Sequence, residues 1–107
     1  MVMIIVESVF PHNKSTEAGK KWLEVVEKYP PDRNVSKQIM VAVRVSKKGI
    51  VSIAAWDVKN GKEKEALIAM GEAMMMFSEV EGYRYSIKTY MSAAETMNLL
   101  GLKAPEG

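Results

Sequence analysis

The run Ile39-Met40-Val41-Ala42-Val43-Arg44-Val45, the link Ser46-Lys47-Lys48-Gly49 and the return Ile50-Val51-Ser52-Ile53-Ala54-Ala55-Trp56-Asp57-Val58 decide the fold. β-Branched side chains recur at every second position of the first run. The link is polar and ends in glycine, and the return has the composition of a strand, so the stretch reads as a long β-hairpin.

Upstream, Val2 to Phe10 predicts a first strand, with Val2, Ile4, Val6, Ser8 and Phe10 on one face and Met3, Ile5, Glu7 and Val9 on the other. Both faces are largely apolar, which implies that both are covered. Pro11 ends this strand, and Asn13 or Ser15 can cap a helix running to about Tyr29. That helix carries Ala18, Trp22, Val25, Val26 and Tyr29 as its apolar stripe and stops at Pro30-Pro31. Asp32 to Gln38 is polar without a period and reads as a surface loop.

Downstream of the hairpin, Lys62 to about Val80 predicts a second helix whose apolar arc is wider than one sheet contact requires, leaving Ile68 and Met75 partly exposed on a monomer. Glu81-Gly82 breaks it, and Tyr83 to Tyr90 is the last strand. Ser92-Ala93-Ala94-Glu95 fits a capping box opening a short final helix to about Gly101.

At 107 residues, 48% hydrophobic and 26% charged, the chain is expected to form one domain over residues 1–107, small enough to gain from self-association. A formal charge of +2 gives no field for a polyanion, so nucleic acid is not an expected partner. The basic-aromatic signatures of an RNA-binding sheet are also missing. The absence of cysteine excludes disulfides, thiolate catalysis and thiolate-held metals. The apolar start Met1 to Val6 is far shorter than a membrane span, and a cytoplasmic protein is expected. No cofactor and no metal site are expected, since there is one histidine and no carboxylate pair has ligand-loop spacing.

The order strand, helix, strand, strand, helix, strand, helix is two split β-α-β units. Right-handed crossovers assemble these into a ferredoxin-like α+β domain, a βαββαβ chain with a four-stranded antiparallel sheet, both main helices on one face and a short C-terminal helix. With its length, its two-sided apolar strands and the Gly82-Tyr83 entrance to the last strand, the chain resembles the dimeric α+β barrel superfamily. The resemblance implies two sheets packed face to face around a cavity, hence a homodimer or higher homo-oligomer. It leaves function open, because that superfamily includes cofactor-independent monooxygenases, isomerases, haem-degrading enzymes and sensors.

Candidate site residues follow from the expected facing. With Ile4, Val6, Val41, Val43, Val51, Ile53 and Ala55 under the helices, Met3, Ile5, Glu7, Met40, Ala42, Arg44, Ser52, Ala54 and Trp56 share the other face. That face has the composition of a small-molecule pocket and equally of a dimer interface. Arg44 would hold the carboxylate of a small, mostly apolar ligand, with Met3, Ile5, Met40, Trp56 and Tyr85 around its apolar part. Glu7, a carboxylate in an apolar strand, is either paired with a basic side chain such as Arg44 or available as a catalytic proton carrier, with His12 or a tyrosine assisting. Three readings remain: a small-molecule-binding dimer, a cofactor-independent enzyme of monooxygenase or isomerase type, and a purely structural oligomer.

Overall fold

The computed structural model describes residues 2–103 and contains the expected order of elements. The strands are β1 (Val2–Phe10), β2 (Ser36–Ser46), β3 (Gly49–Val58) and β4 (Arg84–Met91). The helices are α1 (Ser15–Lys28), α2 (Glu63–Met75) and α3 (Ala93–Leu99). Single 3-10 turns precede α1 at His12–Lys14 and follow α2 at Met76–Glu79. The strands form one four-stranded sheet in the order β2-β3-β1-β4, with every neighbouring pair antiparallel. This is the ferredoxin-like arrangement, with the first and third strands central.

The hairpin turn sets the register. Ser46 pairs with Gly49 across Lys47-Lys48, and Ser46 Oγ donates to the Gly49 carbonyl at 2.8 Å. Gly49 has φ 150°, and a Cβ at that position would lie 2.4 Å from the Phe10 carbonyl oxygen, so only glycine fits the close approach of β1. From that turn the rows run straight across the sheet: Val43, Ser52, Ser8 and Tyr85 share one row, and Val41, Ala54, Val6 and Ile87 the next.

These rows correct the expected facing of β3. Once Val43 lies under the helices, its partner Ser52 lies there too, and with it Ala54 and Trp56. Val51, Ile53 and Ala55 instead join Met3, Ile5, Glu7, Met40 and Arg44 on the open face. The helix side is the packed side, where Ile4, Val6 and Val58 meet Val25 of α1, Ala66, Ala73 and Met74 of α2, and Phe77.

Local ends also differ from expectation. Neither Asn13 nor Ser15 caps α1: the cap position is Lys14 without a side-chain bond, and Ser15 Oγ donates to the His12 carbonyl at 2.7 Å. The expected loop 32–38 is half strand. Asp32 gathers the chain by accepting the Asn34 amide on Oδ1 and the Val35 and Ser36 amides on its carbonyl. Val35 is then buried and accepts the Lys59 amide, so β2 starts at Ser36 despite polar side chains. β2 also carries a bulge between Gln38 and Met40. The capping box holds, with Ser92 Oγ accepting the Glu95 amide at 3.2 Å.

Candidate functional site

The main concavity of the described residues lies between the sheet and the helices, with a volume of about 700 Å³. Its origin is the pairing of small residues. Ser8, Ser52 and Ala54 pave the floor while Ala18 and Gly19 of α1 and Ala66, Ala69 and Ala73 of α2 stand over it, so the two layers do not fill the space between them. Larger side chains close the ends: Trp22 and Tyr29 from α1, Trp56 from β3, Met70 and Met74 from α2. The cleft is open on the β2 side, where Val41 and Val43 line it yet remain 50% and 65% exposed.

One end is polar and tightly built. Ser8 is the buried polar side chain of the core, and Tyr83 hydrogen-bonds with it. Gly82, at φ 80° and packed against Pro11, lets the chain enter β4 at the angle that seats Tyr83 between two rings. Its ring stacks on Phe77 at 4.5 Å and on Phe10 at 5.4 Å between centroids. Burial pushes the Tyr83 hydroxyl up from its ordinary pKa, and the bond with Ser8 opposes this more weakly. The group is therefore a protonated donor throughout the neutral range, facing a cleft that is mostly apolar but also lined by Ser15, Ser36, Gln38 and Ser52.

Outside the cleft, α1 is held to the turn after α2 by Lys21, which bonds both Glu79 and, at 3.0 Å, Glu24. The Lys21 pKa is raised, first by Glu79 and then by Glu24, and Glu79 is lowered in turn.

The residues singled out from sequence divide between two sides of the sheet. Trp56 lines the cleft. Tyr85 is on the same face, opposite Ser8, with its ring tilted against Tyr83 at 6.4 Å. Met3, Ile5, Met40 and Arg44 are on the open face, so the sheet separates them from Trp56. The cavity expected on the non-helical face would lie between two subunits; within the single chain, the main concavity of the described residues lies under the helices. Glu7 is exposed on that open face, in the row of Ala42, Ile53 and Ser86, and Arg44 lies one row away and two strands over. It makes no ion pair with Arg44 in the chain.

His12 does not line the cleft. Its Nε2 donates to the Ser46 carbonyl at 2.6 Å and ties the end of β1 to the hairpin turn. Among the described residues no group of three or more histidine and acidic side chains could hold a metal, and no helix is long and apolar enough to cross a membrane. Sequence reasoning missed Ser8, Ser52 and Trp22 as cleft residues. The available signal was Ser8 itself, a lone hydroxyl in the series Val2, Ile4, Val6, Phe10.

No protein-family model matches the chain, and no curated protein matches it in sequence. Solved structures match its fold. One from Deinococcus radiodurans, provisionally named an antibiotic biosynthesis monooxygenase, superposes with TM-score 0.57 at 9% identity, covering 87% of this chain and 93% of that one. A dimeric ferredoxin-like protein from an uncultured marine organism gives TM-score 0.56 at 15% identity, over 86% and 94% of the two chains. A second provisionally named antibiotic biosynthesis monooxygenase, from Caulobacter crescentus CB15, gives 0.55 at 13% identity, over 86% and 90%. The likeness extends over nearly the whole of each chain and lies in architecture: the chain has a ferredoxin-like fold.

Proposed function

We propose that the protein is a homodimer whose subunits each hold a small, mostly apolar molecule in the cleft between sheet and helices, with the Ser8 and Tyr83 hydroxyls receiving its polar end. The observation that carries this is the cleft: about 700 Å³, apolar and aromatic along its walls, with one built polar corner. Such sites take ligands of drug-like size. The open sheet face, carrying Met3, Ile5, Met40, Val51 and Ile53, joins the subunits, in keeping with the dimeric neighbour. Arg44 then serves the contact between subunits, or a carboxylate bound there.

Native mass spectrometry under gentle and then denaturing conditions tests assembly and cargo together. A dimer that sheds a small apolar molecule on denaturation is expected, and a monomer refutes the proposal. Both tryptophans of the chain, Trp22 and Trp56, line the cleft, so titration with 1-anilinonaphthalene-8-sulfonate is expected to change their emission saturably. A saturating probe that leaves the emission untouched is bound elsewhere and refutes the assignment of the cleft. A dimer that takes up no probe and no cargo leaves the structural-oligomer reading in its place.

A second reading, a cofactor-independent enzyme, is favoured by Tyr83, a proton donor held protonated inside the cleft. On that reading Tyr83→Phe removes turnover while Glu7→Gln, on the far side of the sheet, leaves it standing. Loss of turnover in Glu7→Gln instead would move the chemistry to the face between subunits.

A further inference from the structure

We infer that α3 of one copy docks on the open flank of the cleft of a second copy, between α1 and β2, and closes it. α3 is a built helix. Ser92 caps its first turn, Gly101 at φ 74° ends it, and the Leu102 amide returns to the Met97 carbonyl at 2.8 Å. Seven residues of helix do not hold in water without packing. Yet none of its residues is buried, and Leu99, Leu100 and Leu102 at its end stand 74%, 67% and 56% exposed.

Among the described residues, the mouth of the cleft is another apolar surface left uncovered. Trp22 is 51% exposed at the mouth, and Val41, Val43 and Val45 continue along the helix side of β2, half or more exposed. The sheet order puts these two surfaces on opposite edges. α3 follows β4, and β1 and β3 separate β4 from β2, a distance of roughly 14 Å at about 4.8 Å per strand. The main helices stand over the sheet between them, and α3 itself is only about 10 Å long. The leucines therefore cannot cover the valines of their own subunit, but a second copy supplies both surfaces. Reciprocal exchange about a two-fold axis satisfies both arms and closes the assembly. The inference stands whether or not the cleft holds a ligand.

The chain has no cysteine, so crosslinking is free of background. Val43→Cys and Leu99→Cys are prepared separately, mixed and oxidised, with Glu72→Cys, exposed on α2, replacing Leu99→Cys as control. A disulfide-linked heterodimer formed at least tenfold faster than in the control is expected. A rate equal to the control overturns the inference, as does a disulfide closing within a monomer when both substitutions share one chain. Independently, Leu99→Glu with Leu100→Glu, both exposed in the single chain, is expected to leave circular dichroism unchanged while roughly doubling acrylamide quenching of the tryptophans. Unchanged quenching shows that no partner helix covers Trp22 and overturns it.

Discussion

Gly19→Leu should make the protein more stable and a poorer binder at the same time. Gly19 lies inside α1, lines the cleft, and would place a Cβ in space with nothing within 4 Å. Replacing a helix-interior glycine by leucine contributes about 0.8 kcal/mol through backbone propensity alone. A fully buried leucine side chain adds about 2 kcal/mol, and half of that, about 1 kcal/mol, is the share for a position at the rim. The sum of about 2 kcal/mol corresponds to a rise in Tm of roughly 8 °C for a domain of this size. Gly71→Ala on α2 also has no atom within 4 Å of its Cβ but does not line the cleft. It isolates the helix effect, about 1 kcal/mol and roughly 4 °C. Thermal melts followed by circular dichroism measure the first quantity. Titration with 1-anilinonaphthalene-8-sulfonate measures the second: loss of about 1.4 kcal/mol of contact weakens the probe tenfold in Gly19→Leu, with no change in Gly71→Ala. A stabilised Gly19→Leu that binds the probe as before would place the ligand outside the cleft. A destabilised one would show that the space beside Gly19 is not open.

Other consequences are independent of any ligand. Gly49→Ala forces a Cβ to within 2.4 Å of the Phe10 carbonyl oxygen in a left-handed backbone region, and chemical denaturation should show a loss of about 3 kcal/mol or more. Because Glu79 is lowered in the folded chain, its tie to Lys21 supports the fold above the ordinary carboxylate value of 4.5 and loses that support as pH falls through the lowered value. The Tm difference between the native protein and Glu79→Gln should accordingly be present at pH 7 and vanish in acid; a constant difference would refute the role of charge. Tyr83 is shifted the other way: from its ordinary 10.0 upward the unfolded chain ionises first, so stability falls with rising pH. In Tyr83→Phe that alkaline slope should flatten, and an unchanged slope would assign it to other groups.

How much of this was legible in the sequence depends on which elements were read together. The hairpin, both main helices and the Ser92 cap follow from local pattern because each is decided within a few residues. The facing of β3 was also within reach. A two-residue turn at Lys47-Lys48 makes Ser46 and Gly49 partners, and counting back places Ser52 opposite Val43. Val51 and Ile53, bulky and β-branched, have the composition of core-facing residues. Here they face the other way, and the helices meet Ser52 and Ala54 in the middle of the strand, with Trp56 and Val58 at its end. The start of β2 at Ser36 was not legible, because it depends on the Asp32 turn and on Val35 entering a core built from distant elements.

The cleft was illegible for a related reason. No single segment encodes it: Ser8 is in β1, Ala54 in β3, Gly19 in α1 and Ala66 in α2, and of these only Ser8 stands out in its own element. Only when the register sets Ser8 beside Ser52 and the two helices settle over that row do the missing side chains add up to a space. The same register explains why Glu7, the residue most conspicuous in sequence, stands apart from it. Ile4 and Val6 must face the helices to build the core, and the strict alternation of a strand then sends Glu7 to the opposite side. A proton carrier at Glu7 and a ligand against Ser8 are separated by the sheet itself. Chemistry linking them would have to cross the sheet, whereas binding beside Tyr83 needs only the groups the fold has already brought together.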